Sequence, residues 1–516
     1  MGTPTIVDRV QIDRLTEGRS ARSMNVWIAL GVIGVLGMVC TGTRIGSVPE
    51  PAGQHWWFTI PSGRAPLTSI GFYVSVAVLV VAWLGVGREA FAGRLTTRRA
   101  WVILALWGLP FFLGPPLFSR DLYSYIGQGM IAHRGLDPYT VGPDVLGPGP
   151  LLSSIASVWR ATSSPYGPLF VVSTRGVALL AGSSLVVEVL AFRALELVGV
   201  VLIMVSLPRL ARHLGTSPGI ALWLGALSPL ALFGFIASGH NDTLMVGLLL
   251  AGVTLWVEGR LLPGLALCAV AATIKLPAAA AVVFLVLDHL ASGPPSRRGK
   301  EMVVPVGGAI VAFVGVTLAC GYGWGWLGPG ALHVPTELRV LSTPSVALGT
   351  SFFHLLRVVG LPVAQSAVVT VTQAVCEVAA VAAMIWLAAT LRRNEVVRSI
   401  GLVLILIVVG SPTVWPWYLL WGLVLLAATN AQRSRFLAAV AGLAMLVVGP
   451  SGSPRLNGAW YVPVSLAVIA GVVWLVHDGH WRQVVGSRPD PTDRPSRLSA
   501  SLSDTARLSR AGGTAR

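Results

Sequence analysis

The stretch Thr68-Ser69-Ile70-Gly71-Phe72-Tyr73-Val74-Ser75-Val76-Ala77-Val78-Leu79-Val80-Val81-Ala82-Trp83-Leu84-Gly85-Val86-Gly87 contains no charged side chain. A membrane-spanning helix needs roughly 20 such residues, because the hydrocarbon core is about 30 Å thick and each helical residue rises about 1.5 Å. Directly after it come Arg88, Arg94, Arg98 and Arg99. An apolar run closed by arginines is how a span ends on the cytoplasmic side.

Outward from this stretch the pattern repeats. Comparable apolar runs occupy residues 25–43, 101–118, 185–207, 218–237, 242–257, 261–274, 276–290, 302–320, 363–390, 399–411, 416–429, 436–450 and 459–476. The chain is 54% hydrophobic and only 11% charged, against roughly a quarter charged in a soluble domain. Most of its surface therefore meets the lipid bilayer, and the expected fold is an all-α polytopic membrane protein of about 12–14 transmembrane helices.

The formal net charge of +16 sits in short clusters between these runs, not along one face. That distribution argues against a nucleic-acid partner. Besides the cluster after residue 87 there are Arg209 and Arg212, then Arg297, Arg298 and Lys300, then Arg392, Arg393 and Arg398, then Arg433 and Arg435. With a cytoplasmic N-terminus all of them fall on one side, as the positive-inside rule requires. Counting 169–182 as a further span would break that agreement, so it reads as an interfacial or re-entrant helix. Residues 1–24 then form a cytoplasmic N-terminal segment, 25–476 a transmembrane domain and 477–516 a disordered cytoplasmic tail rich in Ser, Arg, Asp, Pro and Gly. Cys40, Cys268, Cys320 and Cys376 stand singly in apolar segments, which excludes a disulfide framework or a zinc site from the expectation.

The extracytoplasmic side receives the two longest loops, 119–168 and 321–362, and the unusual polar residues. Arg120-Asp121 opens the first loop at the end of an apolar helix. A carboxylate there is either a salt-bridged helix end or a base, since an ionised Asp near the interface takes a proton from an incoming hydroxyl if a cation offsets its desolvation. Tyr123 and Tyr125 follow, as members of an aromatic belt or as substrate contacts. Two rigid turns, Leu136-Asp137-Pro138-Tyr139 and Ser164-Pro165-Tyr166-Gly167-Pro168, either punctuate the loop or hold Asp137, Tyr139 and Tyr166 as a platform against a sugar face.

The turn Gly239-His240-Asn241-Asp242 brings three hydrogen-bonding side chains to a membrane boundary. A helix N-cap accounts for Asn241 or Asp242 but not for His240. Lys275, one of two lysines in the chain, lies between two short apolar segments, where it either snorkels to water or binds a phosphate. Arg339 stands alone on the same side and suits Asp121 or a phosphate as partner. Trp415 and Trp417 offer stacking surfaces or ordinary interfacial anchors.

The set Ser-Arg-Asp-Leu-Tyr-Ser-Tyr at 119–125, Leu-Asp-Pro-Tyr-Thr-Val-Gly-Pro at 136–143, Pro-Tyr-Gly-Pro-Leu-Phe at 165–170, Gly-His-Asn-Asp at 239–242 and Trp-Pro-Trp-Tyr-Leu-Leu-Trp at 415–421 resembles the actinobacterial alpha-1,6-mannosyltransferases of lipomannan and lipoarabinomannan synthesis. These belong to the membrane-embedded GT-C class of glycosyltransferases, and the resemblance covers residues 25–476. It implies a GT-C-type bundle with extracytoplasmic loops, polyprenyl-phosphate-mannose as donor, a lipid-linked alpha-1,6-mannan as acceptor, and transfer with neither metal nor cofactor; independently of the resemblance, attack on a beta-linked mannosyl phosphate from the opposite face would give an alpha product by inversion. The resemblance also implies that Asp121 is the base. Members of the class often carry an Asp-X-Asp-like pair; here Arg120-Asp121 offers a single carboxylate, which weakens a two-acid or metal-bridged scheme. A polyprenyl-linked sugar flippase or transporter is the alternative, and it would show broken helices, midplane charges and symmetry between halves.

Overall fold

The computed structural model describes residues 6–42, 65–182, 184–328, 343–391, 395–429 and 470. Everything below concerns the first of two compact units, Met1–Ile469. Its described residues form α-helices α1 (Ile6–Gly42), α2 (Ala65–Phe91), α3 (Thr97–Leu113), α4 (Asp121–His133), α5 (Pro150–Ser154), α6 (Ser157–Arg160), α7 (Pro168–Ala181), α8 (Leu185–His213), α9 (Pro218–Gly225) and α10 (Pro229–Ala231). They continue as α11 (Asp242–Val257), α12 (Leu261–Ala272), α13 (Ala279–Ala291), α14 (Pro295–Ala319), α15 (Pro344–Val358), α16 (Gln365–Ala389), α17 (Val396–Gly410) and α18 (Leu420–Ala427). No strand occurs among the described residues, so this is an all-α polytopic membrane protein.

Five stretches are long and apolar enough to cross a membrane: Arg22–Gly42, Leu67–Phe91, Leu185–His213, Ser296–Ala319 and Gln365–Ala389. A sixth, Pro218–Gly225 with Pro229–Ala237, is bent by 50°. Local chemistry places the bend. Pro229 has no N–H to continue the first helix, and Ser228 Oγ accepts the Ala231 N–H at 3.2 Å as the N-cap of the second. That second half then widens into a π-helical segment over Leu232–Ala237.

The remaining apolar runs before residue 430 are shorter helices. Asp242–Val257, for instance, has 16 residues, or about 24 Å of rise, short of the ~30 Å slab. Such helices need protein on their flanks, and α11 has it: nearly its whole length is buried. The structure departs from the sequence expectation in one further respect. Helix α1 starts at Ile6, well before the apolar run begins at residue 25. The runs at 436–450 and 459–476 lie outside the described residues.

Residues 168–181 fold as the 14-residue helix α7. It packs along α4, with Gly129 of α4 set directly against the Thr174 carbonyl. At about 21 Å it is too short to span unaided.

One end of the bundle collects arginine together with glutamate. Arg94 pairs with Glu89 at 2.6 Å, and Glu89 also accepts a hydrogen bond from Ser23 at 3.1 Å. Arg209 pairs with Glu258, and Arg297 and Arg298 with Glu301 at 3.1 and 2.9 Å. The opposite ends of α4, α11, α13 and α18 meet at the site described next.

Candidate active site

Helix α4 opens on Asp121, a buried residue whose side chain is 13% exposed. Its Oδ1 accepts the indole N–H of Trp159 at 3.1 Å, and its backbone N–H donates to Ser119 Oγ at 3.0 Å. Oδ2 lies 3.6 Å from Nδ1 of His240. Burial pushes the carboxyl up to about 6, and the charge of Lys275 and the Trp159 hydrogen bond oppose that rise. Three residues before the helix start the backbone is held unusually. Phe118 has φ 66°, a left-handed conformation that costs a bulky residue, and its ring stacks on Phe233 at 4.4 Å.

The second wall is the turn between the bent span and α11. Gly239, at φ 67°, reverses the chain where a side chain would be strained. His240, Asn241 and Asp242 follow, at 0, 0 and 1% exposure. Tyr125 Oη lies 3.5 Å from both His240 Nδ1 and Asn241 Oδ1. Burial holds the His240 imidazole well below its usual range, with the Lys275 charge adding to the effect, so the ring is neutral near pH 7.

The third wall comes from the turn before α13. Lys275 Nζ donates to Asp242 Oδ1 at 2.8 Å, and Trp421 donates its indole N–H to the same oxygen. The ammonium also lies 4.3 Å from the centre of the Tyr418 ring, 5.1 Å from Trp421 and 5.6 Å from Tyr166. Backbone hydrogen bonds fix Tyr166 there. The Gly167 N–H donates to the Ile274 carbonyl at 2.9 Å, and Leu169 N–H to that of Thr273 at 3.2 Å.

Aromatic rings complete the wall. His240 stacks on Trp417 at 4.0 Å and 16°, and Trp417 on Trp415 at 4.8 Å and 15°. Trp417 is 1% exposed and offers no open face to a sugar, whereas Trp415 is partly exposed.

The structure brings together Asp121, Tyr125, Tyr166, His240, Asn241, Asp242, Lys275, Trp415 and Trp417. It separates others. Asp137 uses Oδ1 to accept the Tyr139 N–H at 2.9 Å, an ordinary side-chain turn. Tyr139 packs with Ala132, Val171 and Trp326 in a satellite core and meets Tyr322 edge-on at 6.0 Å. The two Pro-Tyr turns therefore do not form one platform. Tyr123 and Tyr125, both at 1% exposure, are core residues and not a belt. Arg120 occupies the N-cap position of α4 without a side-chain cap bond. Arg339 lies outside the described residues.

Three contributors escape the sequence reading. Trp159 is one of 18 tryptophans and carries no distinguishing neighbour. Tyr418 and Trp421 lie within the Trp-Pro-Trp-Tyr-Leu-Leu-Trp motif, but only the fold of the 3-10 turn Pro416–Leu419 and of α18 turns them onto Lys275.

A polytopic helical membrane protein with a buried carboxylate, a neutral imidazole and a caged ammonium at one end of its bundle has the parts of a membrane-embedded transferase. Residues 28–291 match the family description "Alpha-(1->6)-mannopyranosyltransferase, N-terminal domain", and residues 345–477 match "MptB C-terminal domain". Alpha-(1->6)-mannopyranosyltransferase A of Mycobacterium tuberculosis is 34% identical over 82% of this chain and 84% of its own length. A probable alpha-(1->6)-mannopyranosyltransferase of Mycolicibacterium smegmatis is 32% identical over 94% of this chain and 93% of its own. Alpha-(1->6)-mannopyranosyltransferase B of Corynebacterium glutamicum is 28% identical, over 83% and 77%. No solved structure matches the chain. The chain belongs to the alpha-(1->6)-mannopyranosyltransferase family and is a mannosyltransferase.

Proposed function

We propose that the chain moves mannose from polyprenyl-phosphate-mannose to a lipid-linked alpha-1,6-mannan, with inversion, on the extracytoplasmic face. The observation that carries this reading is the pairing of a buried, desolvated Asp121 with an ammonium ringed by aromatic faces at the same bundle end.

Asp121 takes the proton from the acceptor hydroxyl as that oxygen attacks the anomeric carbon. The bond from that carbon to the phosphate oxygen breaks, and polyprenyl phosphate departs with the electron pair. Attack on a beta-linked donor from the opposite face gives an alpha product through an oxocarbenium-like transition state. Lys275 spends one N–H on Asp242, which leaves two for the departing phosphate. Trp159 holds one oxygen of the base by a hydrogen bond, and the neutral His240 ring lies 3.6 Å from the other. The arginine-rich turns at the other end of the bundle support an extracytoplasmic site by the positive-inside rule.

The test supplies purified protein with labelled polyprenyl-phosphate-mannose and a short alpha-1,6-mannoside. An alpha-linked product is expected, together with a loss of about 100-fold or more in Asp121→Asn, the scale of a missing general base. Transfer at the native rate by Asp121→Asn, or no transfer from this donor by the native protein, would overturn the reading.

A further inference from the structure

Two charged residues lie inside the apolar run of α8, and both are buried: Arg193 at 2% and Glu196 at 1% exposure. Charge within a membrane-spanning segment is costly unless partnered. Arg193 finds its partners among backbone carbonyls. Nη1 donates to Phe112 at 2.9 Å and to Gly114; Nη2 donates to Pro115 at 3.2 Å and to Ala237 at 2.6 Å.

These carbonyls come from two separate segments. Phe112, Gly114 and Pro115 lead out of α3 toward Asp121, whereas Ala237 immediately precedes the turn that carries His240. Two further bonds close the same seam. Ser238 Oγ donates to the Leu117 carbonyl at 2.8 Å, and the Leu117 N–H donates to Ala237 at 3.2 Å. Three residues along α8, Glu196 Oε2 accepts the Leu244 N–H at 3.1 Å, in the first turn of α11. The side chains of α8 thus grip the turn at 238–243 on both sides.

We propose that Arg193 is a positioning residue for mannosyl transfer, fixing the segment that delivers Asp121 against the turn that delivers His240 and Asp242. This rests on the reading of Asp121 as base. The planar guanidinium suits the task because its separate nitrogens reach carbonyls in two directions at once, and a lysine ammonium has a single nitrogen.

The experiment compares full-length native protein with Arg193→Lys and Asp121→Asn. It measures kcat and donor KM per folded molecule, and the pH profile. A displacement of order 1 Å costs about 100-fold in rate. Arg193→Lys should therefore lose at least ~10-fold in kcat with donor KM within about 2-fold. The acid limb of its profile should also move to lower pH, because water reaches Asp121 through the loosened seam. Native kcat and an unmoved limb in the folded fraction, with only the yield or melting temperature reduced, would make Arg193 merely structural and overturn the inference. Where Arg193→Lys gives no folded protein, Ser238→Ala opens the same seam by one bond and is read by the same criteria. A fully active Asp121→Asn removes the base reading itself, whereas an inactive Asp121→Asn beside a native-like Arg193→Lys removes only the present inference.

Discussion

At one end of the bundle Arg209 meets Glu258 with side chains 38% and 16% exposed; at the other, Lys275 meets Asp242 with 12% and 1% exposed. Both join opposite charges across neighbouring segments, the first with His213 also 3.7 Å from Glu258, yet their surroundings differ. The first keeps its cation in water, so its attraction is screened and loss of the arginine leaves a carboxylate that water still reaches. The second has exchanged water for tyrosine and tryptophan faces, so removing either partner strands a charge. Charge at the arginine end marks topology. Charge at the aromatic end is buried among rings.

Breaking the buried pair should have the largest effect. Lys275→Met leaves Asp242 buried without its cation, which should abolish transfer and cost roughly 3 kcal/mol or more. Thermal unfolding in detergent measures the stability part. Adding Asp242→Asn to Lys275→Met should recover stability without recovering activity, and a double variant less stable than Lys275→Met would show that the pair is not the cause.

A smaller effect follows from titration of Asp121, whose carboxyl sits at about 6. In the proposed mechanism this carboxyl must be ionised to accept the proton, so kcat/KM should fall about tenfold per pH unit below that value. Trp159→Phe deletes a hydrogen bond that favours the carboxylate, and so should move the acid limb upward. Stability runs the other way. A carboxyl raised in the folded state contributes stability that is fully present below the ordinary value of 3.8 and is lost as pH rises through about 6. Asp121→Asn should therefore raise the melting temperature at pH 8, by up to the equivalent of about 3 kcal/mol, and much less below pH 4.

The smallest effect belongs to the arginine end. Arg209→Ala should cost under about 1 kcal/mol and leave kcat unchanged. A loss comparable to that of Lys275→Met would erase the contrast between the two ends.

The spans were legible because lipid leaves a chain little choice: a backbone that cannot reach water must become a contiguous apolar helix. Asp121, His240, Asp242 and Lys275 were legible for a related reason, as polar groups placed where apolar ones would be cheaper. The early start of α1 at Ile6 was not, because a polar segment can be helical without leaving an apolar run to read. Tyr139 and Tyr166 show the limit most clearly. Each follows a proline in a turn of the same loop, but Tyr166 meets Lys275 while Tyr139 fills a satellite core. Local sequence sets the turn; only packing against Trp326 or against the Thr273–Lys275 turn decides what the ring touches. Arg193 and Glu196 were visible as charges in an apolar run, but their meaning depended on carbonyls and an amide contributed by other segments.

The seam at Gly167 extends beyond energetics. A methyl group there would lie 2.0 Å from the Thr273 carbonyl oxygen, whereas at Gly176, one helical stretch further on, it would meet nothing within 4 Å. Two glycines nine positions apart thus face opposite regimes of selection. Gly176 is free to drift among small residues as lineages diverge. Gly167 is held by the backbone it crosses, and no compensating change in a neighbouring side chain can relieve a clash with a main chain that every residue shares.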